Sequence, residues 1–179
     1  MTTPQPLNLT KDKAAVLIMD YQNRVVSNVI QDPPGVVDRA ARVLNGARQA
    51  GIPVIYIVHR RPGALDPDAP EGQIHPTVAP QPGEQIIAKS RPGAFSTTGL
   101  DVTLRERGVD TLVLVGTYTS GCVLSTVRWA ADINYKLAVV GDACADRDPQ
   151  IHHFLVSKIF PWQCTVFTTQ EFLKAVGAK

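Results

Sequence analysis

Three residues far apart in the 179-residue chain carry the side chains needed for nucleophilic acyl chemistry: Asp20, Lys89 and Cys122. Cys122 closes Gly116-Thr117-Tyr118-Thr119-Ser120-Gly121-Cys122, where an apolar run hands over to a helical pattern. A thiol at a helix N-terminus meets the positive dipole end and free backbone amides, and both favour thiolate. The same amides can hold an oxyanion once the sulfur attacks a carbonyl. The plain alternative is a buried structural cysteine; the small, polar flanks argue for an approachable sulfur. Cys144 and Cys164 lack that setting and read as structural. Asp20 ends the apolar run Ala14–Met19. A carboxylate in a partly desolvated cleft has the raised proton affinity of a general base, although a strand end or helix cap would also use an aspartate. Lys89 follows Gln85-Ile86-Ile87-Ala88, where its charge would hold thiolate and carboxylate in register; alone it would be an ordinary surface lysine. Of the histidines His59, His75, His152 and His153, only His59 ends a strand, so a Cys–His pair would have to use it; a pocket-wall or core histidine is the other reading.

The elements that must position these groups alternate in type. Continuous apolar runs at Ala14–Met19, Val54–Val58 and Thr111–Val115 suit strands buried on both faces. Shorter ones lie at Gln85–Ala88, Lys136–Val140 and Thr165–Phe167. Between the first two, Asp32 caps a helix with Pro33 at its first position; Val36, Val37, Ala40, Val43, Leu44 and Ala47 line one face, and Gly51 stops it. Helical patterns also span Thr98–Gly108, Gly121–Asn134 and Pro149–Phe160, and start again near Thr169. Alternation at this spacing implies right-handed βαβ crossovers. The expected fold is therefore a three-layer α/β/α sandwich with a six-stranded, mostly parallel sheet, one domain over residues 1–179. Ligands of such sheets collect beyond the carboxyl ends of the strands, where Asp20, His59, Lys89, Cys122 and Asp142 all fall. Pro62–Gly83 holds six of the 14 prolines and little periodicity, which suits either a lid or oligomer contact or a passive loop.

Composition narrows the classes. With 44% hydrophobic and 19% charged residues, a disordered polymer is disfavoured. A net charge of +2 from scattered basic residues gives no stripe for nucleic acid. No apolar run approaches the roughly 20 residues of a membrane span, and the polar, proline-punctuated start is unlike a signal peptide. Three cysteines without CxxC spacing point to reduced thiols and a cytoplasmic setting. Phosphate-loop, GxGxxG, GxSxG and HExxH patterns are missing.

Four segments, in order and spacing, resemble the isochorismatase-like cysteine hydrolases over nearly the whole chain. They are Val16-Leu17-Ile18-Met19-Asp20-Tyr21-Gln22-Asn23, Lys89-Ser90-Arg91-Pro92-Gly93-Ala94-Phe95-Ser96-Thr97-Thr98, Gly116–Val123, and Val139-Val140-Gly141-Asp142-Ala143-Cys144-Ala145-Asp146-Arg147-Asp148. The resemblance implies an Asp20–Lys89–Cys122 triad and a non-proline cis peptide between Thr117 and Tyr118. It also implies an oxyanion hole from the Tyr118 and Cys122 amides, with Thr117 and Thr119 beside the substrate. Nicotinamidases resemble the chain but carry an Asp-x-His metal pair where this one reads Val58-His59-Arg60-Arg61, so neither a metal nor a cofactor is expected. True isochorismatases lack the cysteine. The Thr119-Ser120-Gly121-Cys122-Val123 run is similar to metal-free amidohydrolases of N-carbamoylsarcosine and maleamate, in which an arginine at the place of Arg147 binds the substrate carboxylate. Leu124 departs from that branch, which tends to have arginine there, and bulky Tyr118 would narrow the pocket. The expectation is cysteine-dependent hydrolysis of a small amide or ureide. Phe95, Tyr118 and Tyr56 or Trp162 would line the pocket, while Gln22 or Asn23 would bind substrate or order Asp20. The alternatives are a hydrolase of isochorismatase or other type that does not use Cys122 covalently, and a non-catalytic sensor. Phe160-Pro161-Trp162 suggests a homo-oligomer, dimer or tetramer, or ordinary helix-to-strand packing.

Overall fold

The computed structural model describes residues 7–29, 32–60, 66 and 68–178. Six strands, β1 (Ala14–Met19), β2 (Val54–His59), β3 (Gln85–Lys89), β4 (Thr111–Gly116), β5 (Lys136–Val140) and β6 (Thr165–Phe167), form one sheet in the order β3-β2-β1-β4-β5-β6. Every neighbouring pair is parallel. The expected sheet is therefore present, and the long apolar runs become its central strands, which are covered on both faces, while the edge strands β3 and β6 are only partly buried. All six residues of β1 are buried, and so are all six of β4.

Side-chain alternation sends β1 into two cores. Ala14, Val16 and Ile18 pack against α2 (Pro33–Gln49) and α6 (Thr169–Ala175). Ala15, Leu17 and Met19 face α3 (Leu100–Glu106) and α4 (Leu124–Asp132). Full burial of a side chain such as Leu17 contributes about 1.5–3 kcal/mol, so this strand is fixed mainly by area removed from water. Capping follows the sequence signals: Asp32 accepts from the Gly35 amide at the start of α2, and Thr168 with Glu171 forms a reciprocal cap on α6. The predicted helix Pro149–Phe160 is subdivided into α5 (Pro149–Phe154), a π turn over Leu155–Ile159 and a 3₁₀ turn over Phe160–Trp162. Pro161 has no amide proton to continue an α-helical ladder there.

The strand order places the site. The chain runs outward from β1 to β3, then returns to β4 and runs the other way, so the β1 and β4 ends flank the crevice where doubly wound sheets hold ligands. Just beyond β1 comes the one-and-a-half-turn helix α1 (Asn23–Ser27). Pro62–Leu65 and Pro67 of the proline-rich loop lie outside the described residues. The rest of the loop packs onto the Tyr21–Arg24 segment: His75 donates its amide to Tyr21 O at 2.8 Å, Asn23 donates to Gln73 O at 2.9 Å, and Gln22 bridges Ile74. None of its described residues lines the cleft discussed next.

Candidate active site

Asp20, Lys89 and Cys122 leave the carboxyl ends of β1, β3 and β4 and line one cleft of about 330 Å³. All three are nearly sealed from solvent, at 6%, 2% and 3% exposure. Lys89 Nζ donates to Asp20 Oδ2 at 2.7 Å, while Asp20 Oδ1 is buried and, among the described residues, has no hydrogen-bond partner. An orphaned carboxylate oxygen is costly in such surroundings, and here it belongs to the group facing the sulfur. Asp20 also sits in the left-handed region at φ 57°, a conformation that costs a non-glycine residue on the order of 1 kcal/mol. That turn swings the carboxylate off the strand axis into the crevice.

Cys122 lies in a π turn over Thr119–Val123 that leads into α4. Its sulfur is 3.7 Å from the Tyr118 carbonyl and faces Gly116, where an added Cβ would come within 3.1 Å of Sγ and 3.0 Å of Met19. Only glycine lets the thiol settle against the end of β4. The Thr117–Tyr118 peptide is cis. Among the described residues, the Tyr118 amide has no hydrogen-bond acceptor. Thr117 is held by two bonds, amide to Met19 O at 3.2 Å and hydroxyl to Asp20 O at 3.1 Å, which tie the Thr117–Cys122 loop to the end of β1.

Electrostatics pull the pair in one direction. Burial raises the Asp20 carboxyl above the ordinary range, opposed by the nearby Lys89 ammonium. Burial raises the Cys122 thiol as well; the Asp20 charge adds to this and Lys89 opposes it. Two adjacent buried anions are thus disfavoured, and one proton stays on the sulfur–carboxylate pair. The arrangement can move that proton from sulfur to carboxylate when an electrophile is present.

The remaining predicted residues divide. Tyr118, Thr117 and Arg147 line the cleft. The Arg147 guanidinium stacks 4.6 Å from the centre of the Tyr118 ring and donates to its hydroxyl at 3.2 Å. His59 also lines the cleft. Gln22 departs from expectation: its amide oxygen accepts from the His59 amide at 2.8 Å, and its nitrogen donates to Gly72 O at 2.7 Å and to His59 O at 3.1 Å. With both ends engaged, it pins β2 to the proline-rich loop rather than facing ligand. Asn23 donates to Pro70 O at 2.7 Å and points to the same loop. Phe95 packs in the core beside Tyr135. Thr119 is fully buried, with its amide on Ala145 O and its hydroxyl on His152. Tyr56 is buried against α2, where Arg48 donates to its hydroxyl, and Trp162 is exposed; neither lines the cleft. Sequence reasoning missed Arg24, Val25, Asn28 and Pro92 on the cleft wall. A five-residue helix and the Asn28 that caps it are too short to show a periodicity that could have announced the first three. Among the described residues no group of three or more His, Cys, Asp or Glu side chains is placed to hold a metal ion.

The isochorismatase domain pattern matches residues 14–171, which is most of the chain. The protein belongs to the isochorismatase family. An isochorismatase family protein from Burkholderia thailandensis superposes with a TM-score of 0.85 at 31% identity, over 99% of this chain and all of that one. N-carbamoylsarcosine amidase from Thermoplasma acidophilum gives a TM-score of 0.75 at 26% identity, covering 88% of this chain and 96% of its own. The ureidoacrylate amidohydrolase RutB of Agrobacterium fabrum is 27% identical over 207 residues, covering 91% of each chain. Amidohydrolases acting on C–N bonds therefore stand among the relatives of this family member. No helix among the described residues is long and apolar enough to cross a membrane.

Proposed function

We propose that the protein hydrolyses a C–N bond in a small amide or ureide, with Cys122 as nucleophile, Asp20 as proton carrier and Lys89 as electrostatic anchor. The observation that carries this reading is the meeting of the three buried side chains in one cleft, with one Asp20 oxygen held by Lys89 and the other without a hydrogen-bond partner among the described residues. Asp20 takes the thiol proton as sulfur attacks the carbonyl carbon. The oxyanion is received by the Tyr118 and Cys122 backbone amides. Asp20 then gives its proton to the leaving nitrogen as the C–N bond breaks, leaving a thioester. Water, deprotonated by Asp20, attacks that thioester; the C–S bond breaks and the proton returns to sulfur. Lys89 keeps the site from accumulating uncompensated negative charge. Arg147, at the mouth of the cleft, pairs with a carboxylate on the substrate once it leaves the Tyr118 ring.

Two amidohydrolases of N-carbamoyl-type compounds among the relatives support a ureido acid over a neutral amide. A homo-oligomer working in the cytoplasm completes the proposal: Trp129, Phe154 and Trp162 are exposed apolar side chains, and the three cysteines are free thiols. Sedimentation of the purified protein tests the oligomer. The test of function is an ammonia-release screen over primary amides, ureido acids and maleamate, with Cys122→Ala as the blank. Ammonia from one class with the wild type and none with the variant is expected; undiminished turnover by Cys122→Ala would refute the assignment.

A further inference from the structure

We propose that His152, which lies outside the cleft, is a positioning residue that sets the nucleophile loop through Thr119. This rests on the reading of Cys122 as nucleophile. The loop from Thr117 to Cys122 is gripped from two sides. On one side Thr117 is bonded to the end of β1, as described above. On the other, the segment after β5 supplies a ladder of its own. Thr117 bridges Ala145, and the Thr119 amide donates to Ala145 O at 2.8 Å. The Ser120 amide donates to Asp146 Oδ2 at 2.6 Å, and the other Asp146 oxygen accepts from the Arg147 amide at 2.8 Å. His152, on α5, completes the grip by a 2.8 Å hydrogen bond between Nδ1 and the Thr119 hydroxyl.

The placement gives that bond its leverage. Thr119 follows the Tyr118 amide directly and precedes Cys122 by three residues, so a tilt at Thr119 displaces both proposed oxyanion donors and the sulfur. Misplacement of reacting groups by 1 Å can cost about 100-fold in rate. Thr119 is fully buried, and His152 is the side-chain partner of its hydroxyl. His152 touches none of the reacting groups: it lines a second cavity, of about 430 Å³, that shares no lining residue with the catalytic cleft. Protons therefore reach its ring without passing the substrate.

Charge decides which form of the ring does this work. Burial favours neutral His152, Asp146 opposes that, and neighbouring His153 adds to it. Asp32, Arg39 and Asp142 face the ring across the second cavity. The neutral ring can accept from the Thr119 hydroxyl. A protonated ring can only donate, which reverses that bond and draws the Asp146 carboxylate away from the Ser120 amide. Acid thus loosens the loop in addition to protonating Asp20.

The experiment compares His152→Ala, His152→Asn and Thr119→Val in the full chain. It reads kcat and KM across pH on the substrate found in the ammonia screen. It also reads the rate at which iodoacetamide alkylates Cys122, which needs no substrate. His152→Ala is expected to lower kcat about tenfold or more with KM nearly unchanged, and to change the alkylation rate. His152→Asn, whose amide can replace Nδ1, restores most of kcat at neutral pH and removes one ionisation from the acid limb. Thr119→Val reproduces the alanine defect, and the double variant His152→Ala/Thr119→Val is no slower than either single one. Wild-type kcat and alkylation in His152→Ala overturns the proposal. So does an asparagine variant as slow as the alanine one, an unchanged acid limb in His152→Asn, or losses that multiply in the double variant. Should His152→Ala fail to fold, His152→Asn and Thr119→Val carry the same tests. Failure of the underlying reading is recognised separately, as turnover by Cys122→Ala.

Discussion

Two ion pairs of almost equal length sit at opposite ends of their usefulness. Arg48 on α2 grips Glu84, just before β3, with two 2.8 Å hydrogen bonds, and the Gln81 amide adds a third at 2.7 Å. The same guanidinium donates to Tyr56 Oη and Ala79 O. Lys89 and Asp20 are joined at 2.7 Å, yet among the described residues the other carboxylate oxygen has no hydrogen-bond partner. The proton affinities separate accordingly. Burial pushes Glu84 up, but its Arg48 and Gln81 hydrogen bonds outweigh that and hold it below the ordinary value. Burial wins at Asp20 and its carboxyl is raised. A carboxylate with both oxygens engaged is held as a staple; one with an oxygen left over keeps a raised proton affinity.

That contrast can be broken by substitution. Asp20→Asn is expected to have the largest effect, a loss of about 10³–10⁴-fold in kcat, because the amide cannot take the thiol proton. Ammonia release under saturating substrate measures it; a loss below tenfold would remove Asp20 from proton transfer. Lys89→Met comes next. It leaves Asp20 buried without its cation, which raises its proton affinity further, shifts the acid limb of kcat to higher pH and costs about 3–5 kcal/mol of stability. Urea denaturation and a pH–rate profile check both halves. Glu84→Gln is the counterpart at the staple: a stability loss of about 1–2 kcal/mol with kcat unchanged. A catalytic defect there would erase the distinction between the pairs.

The two carboxylates also oppose each other in pH-dependent stability. Glu84, lowered in the folded state, contributes stability that is present above its unfolded pKa and lost as pH falls through the folded value. Asp20, raised in the folded state, keeps its proton where the unfolded chain has lost it. Its contribution therefore declines as pH rises from the ordinary carboxylate pKa through its raised value. Denaturation midpoints of Glu84→Gln should accordingly approach those of the wild type toward pH 3 and fall behind above pH 5, a smaller effect than the loss of rate.

Much of the fold was legible because continuous apolar runs mean strands buried on both faces, and the ends of such strands are where a parallel sheet presents its chemistry. Asp20, Lys89 and Cys122 could be picked out as residue types at strand ends. The orphaned oxygen could not, since it depends on the left-handed turn at Asp20 and on which partners that turn leaves behind. Gln22 shows the same limit: a polar residue two places beyond Asp20 spends its whole amide on His59 and Gly72. Phe95 shows another, because nothing in an aromatic residue's identity says whether it faces a cavity or a core. His152 was passed over for lying in a helix rather than at a strand end, although its ring reaches Thr119 in the loop that carries Cys122.

The most direct test of the central claim is rapid-quench mass spectrometry of the protein mixed with its amide substrate. A mass increase equal to the acyl fragment, confined to the peptide containing Cys122 and missing in Asp20→Asn, is the predicted result. Turnover with no such adduct under conditions that trap thioesters, or an adduct on another residue, would contradict it.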